Sequence, residues 1–332
     1  MDMGSIIQEI EEMETGMRAR ATDVRRKNPL SKEEMENFLV KATEPCELNC
    51  IIGGVDGGVA SEEFHGFDLV LVKAVGVVYQ YSGNSLKKYS YHPTSLPEMK
   101  MDSMRGLEKH EVQWHKSLCR LYEEIKTARE LAEKSSMDYL LLDGSIVPQV
   151  GDKPNDSSQV KTYYLKTLDE YLKLYRICEE RKICLIGAIK DSRGRRFMEL
   201  IGESSKVNDT VFLDFLLKEG ERTFGFHYGK TEIIKDLAKF GEKIHCFYIK
   251  PVKEDRPLRI EVFNGNFDKV ASLIHSLCSI NKRYASPAIL IEADMRAAIR
   301  KDELDRIYGD LYFKLGNKTS VMRLRRNERP FR

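Results

Sequence analysis

Two apolar runs in this chain end in the same dipeptide. Ile51 to Val55 leads into Asp56-Gly57-Gly58, and Tyr139 to Leu142 leads into Asp143-Gly144-Ser145. Each reads as a buried strand closed by a tight turn, so each delivers a carboxylate to a strand's carboxyl end, where open α/β sheets bind ligands. Phe67 to Gln80 reads as a long strand, and Lys87 to His92 as a third, joined through Ser82-Gly83-Asn84. A helix is predicted over 105–136, with Leu118, Leu121, Tyr122, Ile125, Ala128 and Ala132 on its apolar face. A second follows over Gln159 to Arg181, then a buried strand, Ile183 to Ile189, ending in Lys190-Asp191-Ser192. The order is β-β-β-α-β-α-β: an antiparallel three-strand meander, then strands added by right-handed crossovers. If the fourth strand lies parallel to the first, Asp56 and Asp143 stand on neighbouring strands about 5 Å apart.

Two carboxylates that close repel, and each raises the other's pKa unless a cation lies between them. Mg²⁺ and Mn²⁺ favour such oxygen ligands. Helix 105–136 offers Glu123, Glu124 and Glu130 as a third acid; Glu124 lies three and four residues from Leu121 and Ala128, on the inner stripe. Taken singly, an Asp-Gly pair is a turn and a helical Glu is a solvated side chain. Together, in this topology, they point to metal-dependent phosphoryl chemistry.

Residues 1–45 read as a charged helical arm, with Ile6, Ile7, Ile10 and Met13 at helical spacing and a capping-box start at Ser31 and Glu34. Its role is packing or dimerisation. Asp209 to Lys218 reads as a helix, 223–229 and 244–262 as strands, and Asn266 to Cys278 and Pro287 to Tyr308 as the last helices. A main domain over 46–310, with insertions, precedes a basic tail over 311–332 that holds five arginines from Arg323 onward. That tail suits DNA or an acidic partner face, or is a solvated terminus. Net charge is +2, so DNA would be held by segregated basic residues rather than bulk charge. Arg193, Arg195 and Arg196 form one such cluster, which is otherwise a surface turn. No secretory signal is visible, and the apolar run from Leu69 to Tyr79, broken by Lys73, is too short to span a bilayer. The seven cysteines read as reduced thiols of a cytoplasmic protein; Cys46 and Cys50 lack a second pair that would complete a zinc site.

The chain resembles the archaeal NurA nuclease family. The resemblance is carried in order by Gly-Val-Asp56-Gly-Gly, Leu-Leu-Leu-Asp143-Gly-Ser, Ala-Ile-Lys190-Asp191-Ser, Phe-Tyr-Ile-Lys250 followed by Arg-Ile-Glu261, and Tyr284 ahead of the Pro287 to Ala298 helix. It implies an RNase H-like mixed sheet flanked by helices, a homodimer with a central channel, and Mn²⁺-dependent DNA cleavage, with Mg²⁺ as the other possible ion. It further implies 5'-3' exonuclease and single-strand endonuclease activity, a HerA-type hexameric ATPase as partner, and DNA end resection for recombinational repair. Asp56 and Asp143 match the family's metal ligands, and Glu124 best matches its helix Glu, with Arg120 and Ala128 around it; Glu123 and Glu130 remain alternatives. Many relatives carry Ala-His where this chain has Ala293-Asp294, and Asp294 could still ligate a metal. Tyr284 matches a tyrosine near the family's site.

The expected mechanism has two ions held by Asp56, Glu124, Asp143 and Asp294, one aiming a water at phosphorus and one stabilising the leaving oxygen. Lys190 would neutralise a phosphate, and Arg193, Arg195 and Arg196 would hold the DNA backbone. Two competitors stand beside this reading. One is a non-catalytic RNase H-like scaffold for a DNA motor. The other is an actin or sugar-kinase type phosphotransferase, whose first phosphate loop Gly-Val-Asp56-Gly-Gly also resembles.

Overall fold

A computed structural model describes residues 2–29, 35–203, 207–316 and 322–323. In chain order the elements are α1 (Met3–Lys27), β1 (Val40–Ala42), β2 (Ile51–Glu63), β3 (Asp68–Ser82), β4 (Ser85–His92), β5 (Lys100–Met104), α2 (Lys109–Lys134), β6 (Tyr139–Asp143), α3 (Lys161–Arg181) and β7 (Cys184–Ile189). There follow α4 (Arg196–Leu200), α5 (Asp209–Leu216), β8 (Glu221–Thr223), β9 (Phe226–His227), α6 (Glu232–Asp236), β10 (Ile244–Lys250), β11 (Leu258–Phe263), α7 (Phe267–Cys278), α8 (Ala288–Ala297) and α9 (Lys301–Leu315).

The strands form one mixed sheet in the order β1-β8-β10-β11-β7-β6-β2-β3-β4, with β5 also on β3 and β9 on β10. The expected α/β architecture is present: β2, β3 and β4 are an antiparallel meander, and β6 lies parallel to both β2 and β7. The apolar stripe of α2 (Leu118, Leu121, Ile125) meets Tyr171 and Leu174 of α3 over one face of the sheet, against Val55 and Leu142. On the other face Ile274 of α7 and Ile289 of α8 cover Ile52, Leu141 and Ile186. Among the described residues no helix is long and apolar enough to cross a membrane.

Four local readings are corrected. The first strand does not turn at Asp56-Gly57-Gly58: β2 runs on to Glu63, and Gly57 and Gly58 pair with Ala74 and Lys73 of β3. Their glycines make room for neighbours rather than for a turn. A Cβ on Gly58 would lie 2.0 Å from the carbonyl oxygen of Ala297 in α8, and one on Gly57 would lie 3.3 Å from Glu124 of α2. The last long helix is broken: the Ala297 carbonyl is seated on Gly58, and the chain passes extended through Ala298 before α9 begins where the Glu303 carboxylate accepts from the Arg300 amide at 2.9 Å. Residues 40–42, assigned to the helical arm, pair with β8 as a strand. An edge strand, β5, follows the meander where none was expected. The Ser31–Glu34 helix start and the basic tail beyond Arg323 fall outside the described residues.

Lys73, the charge inside the apolar run, is explained by α9: its buried ammonium donates to both carboxylate oxygens of Glu303 at 3.0 Å. The Gly58 contact has a direct test. Gly58→Ala puts a methyl group against backbone that cannot rotate away, and should lower unfolding free energy by about 1–3 kcal/mol. Gly16→Ala, in open space on α1, should raise it by about 0.5–1 kcal/mol. Urea midpoints at constant m-value measure both.

Candidate active site

The parallel register of β2 and β6 pairs Val55 with Leu142, so the next pair along is Asp56 and Asp143. Strand alternation puts both carboxylates on one face of the sheet. It is the α8 face, since Gly54 and Gly58, two residues either side of Asp56, lie against Ile289 and Ala297. Asp294 projects from the same helix, and its charge adds to those acting on Asp56. Glu124 arrives from the opposite face, on α2, and lies against Gly57, where no side chain stands between it and the strand. Glu124 therefore stands in the α2 layer, on the other side of the sheet from the Asp56 and Asp143 carboxylates.

Asp56 is only 7% exposed. Burial pushes its carboxyl up to about 7, with the Asp143 charge next in effect and the Gly57 amide opposing it. That amide donates to Asp56 Oδ1 at 2.7 Å, and among the described residues no side chain shares a hydrogen bond with this carboxylate. Glu124 is pushed up to about 8 by burial, against the pull of Arg120, whose Nη1 donates to Glu124 Oε2 at 3.0 Å. Lys190 Nζ donates to Asp143 Oδ2 at 2.9 Å and lies 5.6 Å from the centre of the Tyr284 ring. Burial lowers the Lys190 ammonium, but Asp143 and Tyr284 outweigh it and hold it above its ordinary value. The other two helix acids face elsewhere: Glu123 pairs with Lys100, and Glu130 Oε2 lies 3.0 Å from His92 Nε2.

The loops around these groups are built firmly. Glu261 of β11, buried, accepts from Ser145 Oγ at 2.6 Å and from the Ile146 amide at 3.1 Å, and Arg259 Nε donates to it at 3.2 Å. This pair anchors the turn that follows Asp143. Glu261 stands in the sequence pattern, yet nothing in the chain's local order announces this role, because the turn residues it holds, Ser145 and Ile146, lie 116 and 115 residues away. The arginine loop is held by Asp209, which accepts from the Phe197 and Met198 amides at 3.0 Å each and from the Tyr248 hydroxyl at 2.9 Å. Arg193 and Arg195 are exposed on that loop, and Arg196 is half-buried, 3.9 Å from Glu199.

Asp56, Asp143 and Asp294 present carboxylates from one face and Glu124 from the other, the oxygen chemistry that a hard divalent cation takes, though among the described residues these oxygens do not close to within 4.8 Å of one another as a group of three. Lys190 and Arg120 hydrogen-bond Asp143 and Glu124, while Asp56 feels Arg120 only through its charge and has no side-chain hydrogen bond among the described residues. The folded state without metal therefore holds more protons than the unfolded chain from the ordinary carboxyl range up to about pH 7 for Asp56 and 8 for Glu124. Its stability is highest at the acid end of that window and is lost as pH rises through it. In EDTA, the unfolding free energy should fall between about pH 5.5 and 8.5 by an amount on the order of a few kcal/mol. Asp56→Asn should flatten this slope and raise the metal-free melting midpoint at the alkaline end, measured by scanning calorimetry.

Comparison with known proteins bears on the whole assembly. A family model described as the NurA domain matches residues 50–299. No curated protein matches the chain. Among solved structures, the NurA nuclease from Sulfolobus solfataricus is 19% identical, with 96% of this chain and 98% of that chain covered and a TM-score of 0.58. A NurA bound to dAMP and manganese is 11% identical over 97% and 99% of the two chains, with a TM-score of 0.61. A NurA with manganese is likewise 11% identical, over 96% and 100%, at 0.61. These likenesses are of fold.

Proposed function

The chain belongs to the NurA family, and on that premise we propose that it is a metal-dependent DNA nuclease. The observation that carries the reading is Asp56: a buried carboxylate beside Asp143 in parallel register, pushed up to about 7, with no side-chain hydrogen bond among the described residues and only the charge of Arg120 to offset its acidic neighbours. Asp56, Asp143, Asp294 and Glu124 would hold Mn²⁺ or Mg²⁺, two ions in the fuller form of the proposal. Such ions, when bound, supply a water of lowered pKa and charge neutralisation at the phosphorus and the leaving oxygen. Lys190, released from Asp143, would contact a non-bridging phosphate oxygen, with Tyr284 holding the ammonium in place. Arg193, Arg195 and Arg196 would hold the backbone of the strand.

The structures carrying manganese and dAMP support this reading by analogy. Resemblance extends it to a homodimer with a central channel, to 5'-3' exonuclease and single-strand endonuclease activity, and to end resection with a HerA-type ATPase. The division into an arm over 1–45, a nuclease domain over 46–310 and a tail over 311–332 is part of the same proposal. The phosphotransferase reading loses its main support: a phosphate loop needs free backbone amides, and Gly57 and Gly58 lie in the β2–β3 ladder.

The test is cleavage of end-labelled single- and double-stranded DNA with Mn²⁺, Mg²⁺ or EDTA. Cleavage should require the ion and fall by more than about 100-fold in Asp56→Ala and Asp143→Ala. Cleavage that persists in EDTA or in Asp56→Ala would overturn the proposal. Wild type inert even with a HerA-type ATPase and ATP would favour the scaffold. Arg193→Ala should leave the metal requirement unchanged, weaken DNA binding, and reduce the slope of log K against log salt by roughly one.

A further inference from the structure

Helix α2 carries a second group of metal-ligating side chains. His115 and Cys119 stand four residues apart on one side of the helix, and Asp102 reaches them from edge strand β5. One ligand atom from each lies within 4.8 Å of the other two. Asp102 Oδ2 is 3.4 Å from His115 Nε2 and 3.6 Å from Cys119 Sγ. The first distance is long for a hydrogen bond between imidazole and carboxylate, which closes to about 2.7–3.2 Å. Both match the edges of a tetrahedron around Zn²⁺: bonds of about 2.0 Å to nitrogen and oxygen and about 2.3 Å to sulfur put the ligand atoms roughly 3.3–3.6 Å apart.

The surroundings are closed: His115 is fully buried. Tyr163 packs edge-on against the His115 ring, with centroids 5.0 Å apart, and its hydroxyl holds Asp102. Asp102 and Tyr163 are half-buried, so solvent reaches this side of the group. This group is separate from the acids of the active site. Along α2, Glu124 lies about 7.5 Å further on and roughly 140° around the axis from Cys119.

We propose that Asp102, His115 and Cys119 form a second metal site, taking Zn²⁺ or another borderline divalent ion, that ties edge strand β5 to the helix carrying Glu124. One thiolate, one imidazole and one carboxylate select such an ion, whereas the all-oxygen set around Asp56 selects Mn²⁺ or Mg²⁺. On binding, the Cys119 thiol gives its proton to solvent as the metal–sulfur bond forms. The proposal is independent of the nuclease reading.

Its test is titration of the full chain with Co²⁺, then Zn²⁺, in a non-chelating phosphine reductant. Wild type should show a thiolate-to-cobalt charge-transfer band and tetrahedral d–d absorption saturating at one ion per chain, displaced by Zn²⁺. Cys119→Ala should lose the charge-transfer band, and Asp102→Asn should weaken Co²⁺ binding by at least about tenfold. Asp56→Ala should keep the band. Zn²⁺ should raise the melting midpoint of wild type but not of Cys119→Ala. The absence of a charge-transfer band in wild type, or a band that survives in a folded Cys119→Ala, would overturn the proposal. If the buried Cys119 variant does not fold, Asp102→Asn decides alone, and an unchanged Co²⁺ affinity in that variant would overturn the proposal equally.

Discussion

The parallel pairing of β2 with β6 is the constraint on which the site depends. It stacks Val55 on Leu142 and so brings Asp56 beside Asp143 at the end of β6. Like charges at that spacing oppose folding, and the opposition is met by packing from both sides. The apolar stripe of α2 covers Val55 and Leu142, and α8 covers Ile52 and Leu141. Slipping the register by one residue would turn Asp56 into the α2 core and move Val55 out of it. Burial of apolar side chains on both faces of the strand therefore holds two carboxylates where electrostatics alone would not leave them.

Helix placement follows from the same strand. Side chains at Gly57 and Gly58 would hold the flanking helices away. Their absence lets Glu124 approach on one face and the Ala297 carbonyl on the other. The acids thus come from two layers and act on one another through their charges, with Asp294 carried on the helix that Gly58 admits. The surrounding cations are distributed unevenly. Arg120 serves Glu124 and Lys190 serves Asp143, while Asp56 has a single backbone amide. A site built this way holds protons when it lacks a metal, and a divalent cation competes with those protons for the same oxygens.

Much of this arrangement was legible in the sequence. The meander, the parallel fourth strand, the juxtaposition of Asp56 with Asp143 and the inward stripe of α2 all follow from local periodicity and from the rules of strand connection. What was not legible depended on partners distant in the chain. Gly57-Gly58 reads as a turn because glycine's freedom is a local property; its function here is to be small opposite Ala297, some 240 residues on. The break after Ala297 has the same origin. Lys73 looks misplaced until Glu303 is set beside it. The convergence of Glu124 from the opposite face also escapes periodicity, which says which side of a helix is inward but not which face of the sheet it covers. His115 and Cys119 do have a local signal, a spacing of four on a helix, but their third partner sits on a strand with no strong pattern of its own.

Two donor chemistries on one helix have a physical consequence. Oxygen ligands around Asp56 bind hard ions weakly enough for exchange, whereas a thiolate and an imidazole bind borderline ions tightly. Zn²⁺ would also be drawn to the carboxylates if they were the best donors available, and would hold substrate oxygens too firmly for turnover. On the proposal, the thiolate and imidazole of Cys119 and His115 would draw that ion to the β5–α2 junction first. An ion in the proposed site would tie β5 to α2 at Cys119, which packs on Val70 and Val72 of β3. The same helix then serves both sites in different ways: its first half is anchored against an edge strand, and its second half presents Glu124 across the gap that Gly57 leaves open.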